Sequence, residues 1–116
     1  MQTKSPRFTF DVLRIAIEAI EGLAPAVARI KRCDPDLADQ LKRALSSVAL
    51  NAAEGHRSRG GNSVARYSTA AGSNAEARAA LRVAVAWGYV AGSEVAAGEE
   101  NLDRVAAMLY RLGARK

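Results

Sequence analysis

A chain of 116 residues can bury one hydrophobic core but not two, and its 49% hydrophobic but only 5% aromatic content favours closely packed helices over a β-sandwich. The single cysteine, Cys33, excludes an intrachain disulfide; no apolar run reaches the roughly 18 residues a membrane span needs; and Met1–Arg7 leads directly into an amphipathic pattern without a secretory signal, which reads as cytoplasmic. The net charge of +5 is unevenly placed: between residues 55 and 93 five arginines face one acid, Glu76, whereas residues 94–103 carry Glu94, Glu99, Glu100 and Asp103 and no base.

The first helix is predicted over 8–32. One apolar stripe reads Phe8, Val12, Ile15, Ala16, Ala19, Leu23 and Ile30, and a second reads Phe10, Leu13, Ile17, Ile20, Ala24 and Val27. A helix that is apolar over so much of its circumference needs cover on two sides. One bundle core supplies one side, which points to a subunit interface on the other. Pro25 removes a backbone donor and predicts a kink.

Asp34-Pro35 is a helix start, with Asp34 as N-cap and Pro35 in the first turn. The aspartates at 34, 36 and 39 suit the helix dipole and lack the glycine and glutamate of a calcium loop. The second helix is predicted over 35–54, ended by Gly55. A polar connection follows, and Asn62 or Ser63 caps a third helix over 62–87. Gly88 suits the left-handed position after a helix. Ser93 then caps a fourth helix over 93–112. Short connections between four helices predict an all-α, up-down-up-down antiparallel four-helix bundle in a single domain over 1–116.

The sequence holds no catalytic constellation. Its one histidine, His56, sits in the glycine-flanked connection, and Cys33 lies at the far end of the second helix. There is no metal-ligand spacing, P-loop or dinucleotide fingerprint, so no cofactor, no metal and no enzymatic activity are expected. Arg43, Ser47, Asn51 and Glu54 share one face of the second helix, as either a solvated face or a polar seam. An antiparallel pairing about residue 59 brings Arg43 level with Glu76 and predicts an ion pair between them. It also puts Glu54 near Arg66 or the first amides of the third helix. The basic middle reads either as a solvated helical surface or as a polyanion-binding face built from Arg57, Arg59, Arg66, Arg78 and Arg82. With no helix-turn-helix pattern and no aromatic platform, any contact with RNA or DNA is electrostatic and poor in sequence preference.

Gln-Leu-Lys-Arg-Ala at 40–44, Ser-Val at 47–48, Asn-Ala-Ala-Glu-Gly at 51–55, Ala-Gly-Ser at 71–73 with Glu76 three residues on, and Gly-Tyr at 88–89 together resemble a bacterial family. Its members are four-helix bundle proteins encoded in intervening sequences of large-subunit ribosomal RNA genes. The accessory variability determinant proteins of diversity-generating retroelements are similar to it. The motif residues are Gln40, Arg43, Asn51, Glu54, Gly55, Gly72, Ser73 and Glu76. The chain departs from the pattern at Ala52, Ser63 and Arg66, where the family carries bulkier apolar residues. The resemblance implies a ring-like homopentamer with a basic surface and, from the retroelement relatives, binding to nucleic acid and to a reverse transcriptase. A protein-interaction scaffold with no nucleic-acid role is the alternative.

Overall fold

The computed structural model describes residues 6–114, with side chains from residue 11 onward. Phe8 and Phe10 of the two predicted stripes therefore lie outside the described side chains. The described residues form four helices and no strand: α1 (Pro6–Cys33), α2 (Pro35–Arg57), α3 (Gly61–Ala86) and α4 (Gly92–Arg111). α1 continues through Pro25 as one helix.

The neighbours around the bundle are α1–α2, α2–α3, α3–α4 and α4–α1. Rising numbers on one helix meet falling numbers on the next. Ser47 meets Ser73, and Gly55 meets Ser63. Arg78 meets Asp103, and Arg82 meets Glu99. Leu23 packs on Gly98, and Arg29 meets Glu94.

Two apolar clusters fill the interior. One joins Leu23, Ile30, Leu41, Leu45, Leu81 and Leu102. The other joins Val12, Ile15, Val48, Tyr67, Val105 and Leu109, and Ile20 touches both. Each such side chain contributes roughly 1.5–3 kcal/mol on burial. The first stripe of α1 is buried from Val12 to Ile30, as its spacing predicts. On the second stripe, Val27 is buried, Leu13 and Ile20 are half-covered, and Ile17 is 43% exposed.

The helix ends show which local signals prevail. Asp34 caps α2 as expected, its Oδ1 accepting from Leu37 N at 3.0 Å. Its Oδ2 also accepts from the Tyr89 hydroxyl at 3.2 Å, tying the α1–α2 turn to the α3–α4 turn. Gly88 has φ +78, and Tyr89 N donates to Ala84 O while Gly88 N donates to Val85 O. This is the paired C-terminal closure that needs a left-handed residue. Three expectations need correction. Gly55 does not end α2, which runs on to Arg57; instead it lies against the Tyr67 ring, where a Cβ would overlap ring carbons. α3 is capped by Gly60 with no side-chain bond, because Ser63 Oγ donates instead to Gly55 O at 3.0 Å. α4 is capped by Ala91, whose N–H donates to Glu94 Oε1 at 2.6 Å, so Ser93 is already inside the helix.

Candidate nucleic-acid interface

The five arginines of the basic middle do not form one surface. Arg57 ends α2 and Arg59 lies in the connection to α3; both are exposed, and neither is in an ion pair among the described residues. Arg66, one turn into α3, is also exposed and donates weakly to Asn51 Oδ1 at 3.5 Å. These three share one end of the bundle. Arg78 and Arg82 are farther along α3 on its α4 side. Arg78 meets Asp103 at 2.6 Å and Arg82 meets Glu99 at 3.3 Å. Their charge is thus matched by the acids of α4. Both pairs are solvent-exposed and stabilise the fold by at most about 1 kcal/mol each, but they cancel the local field a phosphate chain would meet.

The motif residues form a narrow polar seam between α2 and α3. Ser47 Oγ and Ser73 Oγ are 2.7 Å apart, and Asn51 Nδ2 donates to both the carbonyl and the hydroxyl of Ser47 at 3.0 Å. Of the two sequence readings of this helix face, its inner edge is the seam and its outer edge is solvated: Gln40, Arg43 and Glu54 are exposed. Arg43 and Glu76 stand at the same height, but both are exposed and they are not among the ion pairs of the described residues, so the predicted bridge does not form. Two long side chains on a wet surface gain too little from pairing to be held in one geometry. Arg66 takes Asn51 in place of Glu54 as its partner. Gly72 is exposed, with no neighbour near its missing side chain.

Two residues with unusual surroundings carry no sequence signal of them. Trp87 is 69% exposed at the end of α3 and stacks on Tyr89, with ring centroids 6.5 Å apart and planes 19° from parallel. It is at the end of the bundle opposite Arg57 and Arg59, so no base platform accompanies the arginines. Asn74 is only 1% exposed; its Nδ2 donates to Leu102 O at 3.1 Å, and its Oδ1 has no partner among the described residues. An asparagine within an alanine-rich helix gives no hint of that burial. The phenol of Tyr67 is pushed up from its ordinary pKa by burial, and that of Tyr89 is pushed up by desolvation and by the Asp34 carboxylate. Among the described residues, no group of three His, Cys, Asp or Glu side chains is placed to hold a metal, and no helix is long and apolar enough to cross a membrane.

A family model described as 23S rRNA-intervening sequence protein matches residues 11–111. Comparison with curated proteins and with solved structures gives no match.

Proposed function

The chain belongs to the 23S rRNA-intervening sequence protein family, and on that premise we propose that it is a non-catalytic, self-associating bundle that binds RNA or DNA by charge. It serves as an accessory to a nucleoprotein or reverse-transcriptase complex in the cytoplasm. The antiparallel, up-down-up-down reading of the bundle is supported by the opposed order of contacts along neighbouring helices. The homopentameric ring is supported by the resemblance and by the partly uncovered second stripe of α1. One observation carries the nucleic-acid reading: Arg57, Arg59 and Arg66 share one end of the bundle with no acid paired to them among the described residues. In a ring of parallel copies that end repeats once per subunit, which pools the positive charge.

The scaffold alternative draws on a different observation. Arg78 and Arg82 are matched by Asp103 and Glu99, so the long side of α3 offers little net charge to a polyanion. A salt-titrated binding assay with single- and double-stranded RNA and DNA separates the two. Every phosphate that a cation no longer neutralises lowers the salt slope by roughly 0.7–0.9. Replacing Arg57, Arg59 and Arg66 by alanine should therefore lower it by about two to three per bound copy. Replacing Arg78 and Arg82 should leave it nearly unchanged. Binding that ignores both the salt and the triple substitution leaves the scaffold reading.

A further inference from the structure

An open cleft of about 420 Å³, lined by Ser58, Asn62, Ala65, Arg66 and Thr69, lies at the arginine end of the bundle. Local sequence puts these groups together. Ser58 stands between Arg57 and Arg59, neither of which is in an ion pair among the described residues. Asn62, Arg66 and Thr69 recur at i, i+4 and i+7 and so share one face of α3. At helical rise that face extends over about 10 Å.

What the cleft can bind follows from where its protons go. Ser58 Oγ donates to Glu54 O at 2.8 Å, and Thr69 Oγ1 donates to Ala65 O at 3.1 Å. A carbonyl only accepts, so the direction of both bonds is fixed, and a hydroxyl has one proton to give. Both oxygens therefore offer lone pairs to a ligand. A phosphate oxygen has no proton for them. It suits instead the Arg66 guanidinium on the same wall, whose contact with Asn51 is long at 3.5 Å. Beside a phosphate, then, the cleft calls for a group that donates. A strand held by these arginines brings two kinds of donor: the amino groups of its bases and, in RNA, the 2′-hydroxyl. The 2′-hydroxyl is the one that stands on the backbone beside every phosphate. No aromatic ring lines the cleft to stack a base and fix its edge.

We propose that this cleft seats the ribose backbone of RNA, with 2′-hydroxyls donating to Ser58 Oγ and Thr69 Oγ1 while Arg66 holds an adjoining phosphate, so that the chain takes RNA in preference to DNA. The inference rests on the polyanion reading of this end of the bundle and names the sugar it selects. DNA would set C–H groups against both hydroxyl oxygens. The charge of Arg57, Arg59 and Arg66 serves either strand alike, so the discrimination falls to the two hydroxyls. Each such bond is neutral and replaces one to water, which makes it worth roughly threefold to tenfold in affinity.

The test uses the full chain and single strands of one mixed sequence made with ribose, with 2′-fluororibose and with deoxyribose. The 2′-fluoro strand keeps the sugar pucker of RNA but has no proton to donate. The unaltered protein should bind the ribo strand at least roughly threefold to tenfold more tightly than either of the others. In Ser58→Ala with Thr69→Val, shown to be helical by circular dichroism, the ratio should fall to about one through loss of affinity for the ribo strand. Equal binding of the ribo and 2′-fluoro strands by the unaltered protein, with a steep salt dependence, overturns the ribose seat and leaves the charge reading standing; this comparison needs no variant. A ribo preference that survives the double substitution overturns the assignment to this cleft. A chain that binds none of the three strands, even at low salt, overturns the charge reading and the ribose seat together.

Discussion

The contact of Gly98 on α4 with Leu23 on α1 gives a test that separates packing from helix propensity. Gly98 is buried inside α4 against Leu23, and a Cβ there would lie 2.8 Å from Leu23 Cδ1 and closer still to Cγ and Cδ2. Because Cγ is among the overlapped atoms, turning the end of the side chain does not relieve the clash; the whole leucine must move within a core where it is fully buried. Gly98→Ala gains about 1 kcal/mol of helix propensity and incurs roughly 1–3 kcal/mol of overpacking. A net loss of up to about 2 kcal/mol is expected. Gly22, next to Leu23 but exposed and with open space around it, is the control: Gly22→Ala should stabilise by roughly 0.5–1 kcal/mol. Leu23→Ala alone should cost about 2–5 kcal/mol. In the double variant the alanine at 98 reaches into the space the leucine left, so the two losses should fall short of additivity by about 1–2 kcal/mol. Urea unfolding at one fixed protein concentration, with unchanged slopes, measures all four. A Gly98→Ala chain as stable as Gly22→Ala, or an additive cycle, refutes the close contact.

Asp34→Ala removes both the α2 cap and the acceptor of the Tyr89 hydroxyl, and should cost about 1–2 kcal/mol in the same assay, more than Tyr89→Phe. The phenols of Tyr67 and Tyr89 are pushed upward, so the folded chain holds their protons at pH values where the unfolded chain has released them. Their contribution is complete below the ordinary tyrosine range near pH 10 and is lost as pH rises through the higher folded values. Tyr67→Phe and Tyr89→Phe should each flatten the alkaline fall in stability, as read by unfolding from pH 9 upward. Gly55→Ala, which drives a Cβ into the Tyr67 ring, should destabilise despite its place in a helix, whereas a helix-terminating glycine would tolerate alanine with a smaller loss.

Much of the fold could be read from local signals. The 3.6-residue spacing located all four helices, and Asp34-Pro35 and Gly88 marked a start and an end because their chemistry acts within a few residues. The relative height of α2 and α3 followed from the shortness of the connection, which placed Arg43 level with Glu76, as the Ser47–Ser73 contact four residues on confirms. Interactions between helices were less visible. Arg78 and Arg82 counted as a basic patch and Glu99 and Asp103 as a separate acidic run, although they meet across the α3–α4 seam and cancel. Gly55 looked like a terminator because a glycine after a helical stretch usually is one. Only the tertiary approach of Tyr67 reveals its use. Gly98 and Asn74 carried no signal for the same reason: their roles belong to their neighbours in space.

The pair of hydroxyls joining Ser47 to Ser73 has a further consequence. Helices lined with alanine offer a nearly smooth track, along which a displacement of one turn costs little in apolar contact. Here, displacement in one direction carries the Ser47 hydroxyl onto Ala77, and in the other it sets the Tyr67 ring against the Asn51 side chain instead of Gly55. A few polar atoms and one missing side chain thus act as a detent, admitting a single alignment of α2 with α3 where the greasy surfaces alone would accept several.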